Sequence, residues 1–285
     1  MTPPDQTVAP TILVAAPAPQ PQSDEFPDLR NFSPELLRRC DEWFANPEIT
    51  AGWTIKEKAP AGESQSFWAD EDGTTWRGIA KPGPPVSKDR TCRAAHEKIA
   101  FDLAHVLKLP VPPVALWPLG MPSEYVVGRS ISIKAFPQLD NWDGAMRDGL
   151  ISDELKASAR AAVSAMRAFH SWISDTDRKS DHVIVSLQSK TPPLALAFID
   201  HANSISHVWK STNHPAGPCP LYVPVPLDDV ILRTTVERIA TFPDAEITRL
   251  VNRVPSGYLP DAERTNIIAN LLLRKGALKG ILGLP

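Results

Sequence analysis

The stretch from Trp172 to His201 constrains the fold of this chain more than any other. It begins Trp172-Ile-Ser-Asp-Thr-Asp177-Arg-Lys-Ser-Asp-His182, and two short apolar runs then lead to Asp200. The runs cover 183–187 and 194–199, and the residues between them include two prolines, which favour a turn. The sequence therefore predicts a short β-hairpin with an acidic group at each end.

Composition excludes several classes of protein. A chain of 285 residues with 42% hydrophobic content can bury a large core. Its net charge of -3 and its lack of a basic run argue against direct binding of nucleic acid. The apolar run at 11–17 is too short for a membrane span and lacks the basic flank of a secretion signal. No membrane span is expected.

The cysteines and the N-terminal composition bear on location and order. Cys40, Cys92 and Cys219 are few, odd in number and widely spaced, which favours a reducing compartment. We therefore expect a cytoplasmic protein. Residues 1–28 are rich in proline, alanine and glutamine without apolar periodicity, so they are predicted to form a disordered tail.

The first half of the chain predicts a small antiparallel sheet with one packed helix. Ser33 followed by Pro34 is typical of a helix start. Apolar residues recur every four positions over 93–107, which predicts a helix. The predicted strands cover 52–57, 66–69, 74–81, 114–119 and 125–136.

The second half predicts mostly helices. Apolar residues at helical spacing run from Ser152 to Ile173, with Ser152 as the N-cap. Three further helices are predicted at 228–239, 244–251 and 261–273, each opening with an aspartate suited to capping. The fold class is therefore α+β.

Asp177, Asp200 and their neighbours suggest phosphoryl transfer, which needs a proton acceptor and a metal ligand near one nucleotide. Asp177 precedes His182 by five positions, which is the spacing of a base and a metal ligand in a catalytic loop. Lys179 follows the base, as the phosphate-directed lysine of protein Ser/Thr kinases does. Asp200 is positioned to bind a metal. The competing interpretation is a solvated acidic turn and a helix cap.

Two further groups fit phosphate binding. Lys81 ends a predicted strand and Glu97 lies on the next helix, an arrangement that holds the α- and β-phosphates of ATP. Gly62, Ser64 and Ser66 occupy the turn between the first two strands, where small residues let backbone N–H groups approach phosphates. A solvated surface pair and an ordinary flexible hairpin are the alternatives.

From about residue 52 to its end, the chain resembles the HipA-like kinases and, with them, the phosphatidylinositol-kinase-like fold. The matching motifs are Ile79-Ala-Lys81-Pro82, Glu97-Lys-Ile-Ala-Phe-Asp-Leu-Ala104, Lys108-Leu-Pro-Val-Pro-Pro113, Trp172-Ile-Ser-Asp-Thr-Asp177-Arg178, Ile199-Asp200-His201 and Asn270-Leu-Leu-Leu-Arg274-Lys-Gly-Ala-Leu278. Their order along the chain is more specific than any one of them.

The resemblance implies a two-lobed, protein-kinase-like enzyme that uses ATP and Mg²⁺ or Mn²⁺. Its N-lobe would cover 29–136 and its helical C-lobe 137–285, with adenine against the connector that ends at Phe136. Asp177 would be the base, Asp200 the metal ligand, and Lys81 with Glu97 would hold the phosphates.

Bacterial members of the family autophosphorylate serines of the phosphate loop, which shuts the enzyme down. Ser64 and Ser66 have the corresponding Ser-x-Ser pattern. We therefore expect autophosphorylation at this pair.

Two departures from the family pattern affect this interpretation. His182 stands where the family has asparagine, and imidazole is a poorer ligand for Mg²⁺, which puts the second metal position in doubt. Lys179 replaces a histidine, which favours a protein substrate. The open alternatives are a pseudokinase that binds nucleotide or a partner, and a lipid or inositol-phosphate kinase. An antitoxin-like or host partner stays open as well.

A zinc site built from His201, His207, His214 and Cys219 is a further alternative. Its spacings are long and irregular compared with common zinc motifs. Ordinary loop histidines are the preferred interpretation.

Overall fold

The structure is a computed structural model, and it describes residues 26–49, 52–59, 66–82, 92–117, 129–175, 177–205 and 217–285. Most of the predicted tail, residues 1–25, lies outside these ranges. Phe26 is 8% exposed, and the Arg238 guanidinium lies 4.6 Å from its ring centroid. Residues 26–28, which the sequence assigns to the tail, thus belong to the described part of the chain.

The described residues form eight α-helices and eight β-strands, with a short 3₁₀ turn at Ser180–His182. The helices are α1 (Pro34–Ala45), α2 (Arg93–Val106), α3 (Trp142–Arg147), α4 (Asp153–Ser158), α5 (Arg160–Trp172), α6 (Asp229–Thr241), α7 (Asp244–Asn252) and α8 (Asp261–Ile281). The strands are β1 (Trp53–Lys58), β2 (Phe67–Glu71), β3 (Arg77–Pro82), β4 (Val114–Leu116), β5 (Arg129–Ile133), β6 (Leu139–Asn141), β7 (Val183–Ser186) and β8 (Leu196–Phe198).

The first five strands form an antiparallel sheet in the order β1-β2-β3-β5-β4. Gly78 in β3 lies where β5 approaches closely, because a Cβ there would meet Ile131 Cγ2 and the Ser132 carbonyl oxygen at 2.8 Å. α2 packs against β3, β4 and β5. The predicted combination of an antiparallel sheet and a packed helix is confirmed.

α1 begins as its sequence predicts and is tied to α2. The Ser33 hydroxyl accepts a hydrogen bond from the Leu36 N–H at 3.2 Å, which caps the helix. Lys98 on α2 donates to the Trp43 carbonyl oxygen at 2.8 Å and pairs with Asp102 at 2.7 Å. Because the side chains of Lys98 and Asp102 are fully buried, these contacts fix α1 against α2.

The predicted hairpin is present as β7 and β8, which pair antiparallel with Val183 opposite Phe198. β6 joins the other edge of β7, so that this sheet has the order β6-β7-β8. The sequence did not predict β6 or the following α3, because both are short and carry no clear apolar periodicity. The sheet holds the two acidic loops side by side.

The helix predicted over 152–173 is in fact two helices, α4 and α5, which meet at Ala159. The Ser158 hydroxyl donates to the Leu155 carbonyl at 2.7 Å and accepts from the Leu194 N–H at 2.9 Å. A serine side chain that bonds to nearby backbone competes with the regular helix, which accounts for the break.

The predicted aspartate caps are correct for only one helix. Asp228 caps α6, since its carboxylate accepts from the N–H groups of Val230 and Ile231, both at 3.1 Å. Prolines occupy the cap positions of α7 and α8, so Asp244 and Asp261 lie in the first turns. There the two carboxylates interact favourably with the positive end of the helix dipole and do not cap the helix.

α8 continues past its predicted end at Leu273 and anchors the end of α5. The buried Arg274 Nε donates to the carbonyl oxygens of Ser171 at 3.1 Å and Trp172 at 2.9 Å. The Trp172 indole in turn donates to the Leu271 carbonyl at 2.9 Å. These bonds fix the point at which the loop carrying Asp177 leaves α5.

One cluster of buried hydrophobic residues includes members of both halves of the chain. α5 packs against α6 and α8, while α2 contacts both the first sheet and α7. Among the described helices, none combines the length and apolar composition that crossing a bilayer requires.

Candidate active site

Three charged side chains from separate elements meet at one point. Lys81 in β3 has its Nζ 2.5 Å from Glu97 Oε1 on α2 and 2.8 Å from Asp200 Oδ1, which follows β8. The side chains of Lys81 and Glu97 are 15% and 4% exposed, whereas that of Asp200 is 38% exposed. The structure thus brings together three of the residues that the sequence singled out, and leaves the aspartate accessible.

These contacts keep the site charged. Burial lowers the pKa of Lys81, but Glu97 and Asp200 outweigh it and raise that pKa above its ordinary value. Burial raises the pKa of Asp200, but Lys81 holds it well below the usual range for a carboxyl. A cation and a carboxylate therefore both persist at neutral pH, which suits binding of phosphates and of a metal ion.

Asp200 lies in a left-handed backbone conformation, with φ at +64°, which is uncommon for a residue other than glycine. Side chains from neighbouring elements hold the backbone of this turn through hydrogen bonds. The His201 N–H donates to Glu97 Oε2 at 3.1 Å. Arg178 donates to the carbonyl oxygens of Ile199, at 2.7 Å, and of Asp200. A strained residue fixed by its surroundings is common at functional sites.

Arg178 also joins this turn to the loop that carries Asp177. Its Nε lies 3.0 Å from Asp175 Oδ2, and both side chains are fully buried. Burial raises the pKa of Asp175 to about 6, and its Oδ1 accepts from the Asp177 N–H at 3.3 Å. Burial opposes the charge of Arg178, but Asp175 outweighs it and raises the pKa of the guanidinium.

Asp177 presents an ionised carboxylate at the surface, with its side chain 39% exposed. Its Oδ1 lies 3.2 Å from Lys179 Nζ, and its Oδ2 accepts from Asn203 Nδ2 at 2.9 Å. Burial raises the pKa of Asp177, but the hydrogen bonds from Asn203 and Lys179 outweigh it and lower that pKa. Such a carboxylate can accept a proton from a nearby hydroxyl.

His182 lies beside Asp200, with its Nε2 3.7 Å from Asp200 Oδ2. Burial, followed by the charge of Arg178, lowers the pKa of His182 to about 4, so the imidazole is neutral at pH 7. Its Nδ1 is buried and has no hydrogen bond within the described part of the chain.

The side chains of Asp200 and His182 fit one divalent ion better than two. Mg²⁺ prefers oxygen ligands, which the accessible carboxylate of Asp200 supplies. The neighbouring His182 offers nitrogen, which suits zinc better than Mg²⁺. The residues therefore fit a metal at Asp200, while His182 does not supply the oxygen donor expected at a second position.

A buried chain of neutral rings lies beneath the site. His170 Nε2 and His201 Nε2 are 3.2 Å apart, and His170 Nδ1 lies 2.9 Å from the Tyr222 hydroxyl. Burial, followed by Arg178, lowers the pKa of both histidines well below the usual value. Their ring nitrogens and the Asp175 carboxylate lie within 4.8 Å of one another. Arg178 already supplies the positive charge beside Asp175, so this cluster is satisfied without a cation.

The zinc alternative and the loop-histidine interpretation both need revision at His201. It is 1% exposed and belongs to the buried chain of rings, so it is not a solvated loop histidine. Cys219 is buried too, and its N–H donates to the Ser171 hydroxyl at 3.0 Å. His207 and His214 lie outside the described residues.

The predicted phosphate loop and adenine contact are described only in part. Gly62 and Ser64 lie outside the described residues. Ser66 directly precedes β2, and its carbonyl oxygen accepts from the Ala59 N–H at 2.9 Å. Phe136 is 6% exposed and packs edge-on against Phe32, with the ring centroids 6.0 Å apart. The nucleotide-binding roles of these residues stay predictions.

Asn203 is the site residue that the sequence did not reveal. It follows Asp200 by three positions, and the only signal is an amide residue close behind the predicted metal ligand. The motif itself does not indicate that the amide turns back to Asp177.

No protein-family model matches this chain, and no curated protein matches it. Among solved structures, the chain is similar to a crystal structure of CtkA, a proinflammatory kinase from Helicobacter pylori. The TM-score is 0.58 at 12% sequence identity, and the match covers 84% of this chain and 100% of that chain. At this identity the likeness shows the fold alone. The chain therefore has a kinase-like α+β fold, which the comparison supports without indicating a particular family.

Proposed function

We propose that this protein is an ATP- and Mg²⁺-dependent phosphotransferase with two lobes, 29–136 and 137–285, that phosphorylates a protein serine or threonine. The observation that carries the proposal is the contact of Lys81 with both Glu97 and Asp200. In kinases such a lysine holds the α- and β-phosphates, and such an aspartate holds the metal. The kinase-like fold agrees with this proposal.

In the proposed reaction, Lys81 orients the phosphates and Asp177 receives the proton. The oxygen of the acceptor hydroxyl forms a bond to the γ-phosphorus, and the bond from that phosphorus to the β,γ-bridging oxygen breaks. Its electron pair leaves on ADP, and the hydroxyl proton passes to the Asp177 carboxylate. Bound Mg²⁺ would offset charge on the β- and γ-phosphates through Asp200. Lys179 offsets charge on the transferred group.

A protein acceptor is favoured by the exposure of the base. Asp177 and Lys179 are 39% and 60% exposed, so a side chain presented by another protein can reach them. Radiolabelled ATP with cell lysate identifies the acceptor, and label on lipid or inositol phosphate instead of protein would favour the lipid-kinase alternative.

His182 favours a second candidate, a pseudokinase. Its neutral imidazole stands next to Asp200, where an oxygen donor is expected. A module of this kind would bind nucleotide or a partner without transferring phosphate.

Two variants test the proposal. Asp200→Ala should abolish metal-dependent nucleotide binding, whereas Asp177→Asn should bind nucleotide normally and lower turnover about 100-fold or more, since only the base is lost. Calorimetry with Mg²⁺ measures binding, and release of γ-phosphate in Mg²⁺ and in Mn²⁺ measures turnover.

Equal nucleotide affinity in the Asp200 variant would contradict the assignment of the metal ligand. Tight binding without transfer in either metal would support the pseudokinase instead.

A further inference from the structure

The two carboxylate oxygens of Asp177 have partners of different kinds. Oδ1 lies 3.2 Å from Nζ of Lys179, whose side chain is 60% exposed. Oδ2 accepts from the Asn203 amide at 2.9 Å. An exposed lysine on a flexible stem can leave and pair with a phosphate, whereas a short amide side chain on an anchored turn cannot move far. One oxygen is therefore exchangeable and the other is held.

Among the described residues, the side-chain amide of Asn203 has few bonds besides the one to Asp177. Within the described part of the chain, the bond to Asp177 is the only hydrogen bond of its side chain, and its Oδ1 is buried without a partner. An unsatisfied buried acceptor is destabilising, because it has lost its hydrogen bonds to water without replacement. A residue that served only local stability would not leave a buried acceptor unsatisfied. The presence of Asn203 therefore indicates a role in holding the Asp177 carboxylate.

The backbone around Asn203 is anchored on both sides. The carbonyl oxygen of Ala202 lies 3.1 Å from the ring Nδ1 of His96. The Ser204 hydroxyl donates to the His201 carbonyl at 2.6 Å. The turn that carries Asp200 therefore also fixes the Cα position of Asn203.

We propose that Asn203 is a positioning residue for the catalytic base, which rests on the proposed phosphotransferase function. Its Nδ2–H holds Oδ2 of Asp177 and so aims Oδ1 at the acceptor hydroxyl. When nucleotide binds, Lys179 turns to the transferred phosphate, and the freed Oδ1 accepts the hydroxyl proton while the new phosphorus–oxygen bond forms and ADP leaves. The turn that carries the predicted metal ligand thereby also orients the base.

The first test is the kinetics of Asn203→Ala, with Asn203→Gln as the conservative variant. Misplacing a catalytic group by about 1 Å can cost about 100-fold in rate, so kcat should fall about 10- to 100-fold. The KM for ATP should stay within about twofold, because the phosphates are held elsewhere. Asn203→Gln should recover only part of kcat, because the longer side chain keeps the donor but displaces it. Asn252→Ala, at the exposed end of α7, is the matched control and should match the wild type.

The second test places Asn203→Ala in the Asp177→Asn background. A residue that acts only through the base has no further effect once the base is gone. The double variant should therefore turn over at the rate of Asp177→Asn alone. A further loss equal to that seen in the wild-type background would overturn the proposal, because it would indicate a structural role.

Thermal melting checks folding, and Asn203→Leu, which has a similar size but no hydrogen-bond donor, replaces the alanine variant if that variant does not fold. Wild-type kcat in a folded Asn203→Ala, together with loss of activity in Asp177→Asn, contradicts this inference and leaves the proposed function standing. Absence of any phosphate transfer by the wild type removes the proposed function and this inference with it.

Discussion

Glu97 divides its two carboxylate oxygens between a side chain and a backbone group. Oε1 contacts Lys81 Nζ at 2.5 Å, and Oε2 accepts from the His201 N–H at 3.1 Å. The side chain is only 4% exposed, so water has little access to replace either donor. Glu97 therefore positions both the lysine and the turn that carries Asp200.

Glu97→Gln should weaken ATP binding about tenfold, which is about 1.4 kcal/mol. Glutamine keeps the shape but has one acceptor oxygen and one NH₂ group, so either Lys81 or the His201 N–H must face a donor. Calorimetry with Mg²⁺ and ATP measures the change.

The control for this prediction is Glu57→Gln. Glu57 pairs with Arg77 in the same sheet, but its side chain is 62% exposed. Exposed pairs contribute little, so ATP affinity should stay within about twofold. Equal affinities in all three proteins would show that Glu97 does not support the phosphate site.

The sequence predicted contacts that follow from the position of a residue along an element. Lys81 at a strand end and Glu97 on the next helix meet because the helix crosses the sheet. Asn203 could not be predicted in the same way, since its contact depends on the left-handed turn at Asp200. Short Asp-His-Ala-Asn sequences do not specify such a turn, because the surrounding contacts impose it.

At the scale of elements, the last turn of α2 carries a partly buried titratable ring. His105 stacks on Phe44, with ring centroids 4.3 Å apart and an interplanar angle of 23°. Burial, followed by the charge of Arg30, lowers the pKa of His105 to about 4. Asp41 and Asp28 raise it, and Lys98 lowers it further.

This shift predicts that acidification weakens the contact between α1 and α2. Histidine in an unfolded chain has a pKa of about 6.5. As pH falls below that value the unfolded chain binds a proton that folded His105 does not, so stability falls until about pH 4. At about pH 5 the lowered pKa of His105 reduces the free energy of unfolding by roughly 2 kcal/mol relative to neutral pH.

His105→Phe should remove that reduction. Urea unfolding at about pH 7.5 and about pH 5 measures how much unfolding free energy each protein loses on acidification. That loss should be about 2 kcal/mol smaller in His105→Phe than in the wild type. Phenylalanine preserves an aromatic stack on Phe44. The same loss in both proteins would contradict the lowered pKa.

The segment between β1 and β2 contains Ser64 and Ser66, for which the sequence predicts autophosphorylation. If the protein phosphorylates itself there, incubation with Mg²⁺ and ATP should place phosphate on Ser64 or Ser66, and each phosphate adds about two negative charges. Phosphopeptide mapping detects it. Asp177→Asn is the control and should be modified about 100-fold more slowly, whereas two unmodified serines in the active wild type would reject the prediction.

Elements with a clear apolar period were predictable, and short ones were not. α2 occurs where its four-residue periodicity placed it, and the β7–β8 hairpin occurs where two apolar runs separated by a proline-containing turn placed it. The break between α4 and α5 was missed, because the Ser158 hydroxyl that competes with the helix backbone is itself held by the N–H of the distant Leu194. A contact of this kind carries no local sequence signal.

At the scale of the whole molecule, the site joins the two halves of the chain. Lys81 and Glu97 belong to the first sheet and its helix, while Asp200 follows the second sheet. The predicted elements indicated the α+β class, and the kinase-like fold, which the comparison with a solved structure supports, was implied by the resemblance of the motifs to the HipA-like kinases. The sequence could not specify how the halves contact one another, because those contacts are made by residues far apart in the chain.

A ligand that contacts both halves should stabilise the whole molecule. At an ATP concentration of about 100 times Kd with Mg²⁺, binding adds about 2.7 kcal/mol to the free energy of unfolding. For a chain of 285 residues that corresponds to a rise in Tm of about 4–5 °C. Asp177→Asn should show the full rise, because the proposed role of its carboxylate lies in turnover and not in binding, while Asp200→Ala should show none that depends on Mg²⁺. Scanning fluorimetry with and without Mg²⁺ measures the shift, and an undiminished Mg²⁺-dependent rise in Asp200→Ala would mean that the ion binds elsewhere in the molecule.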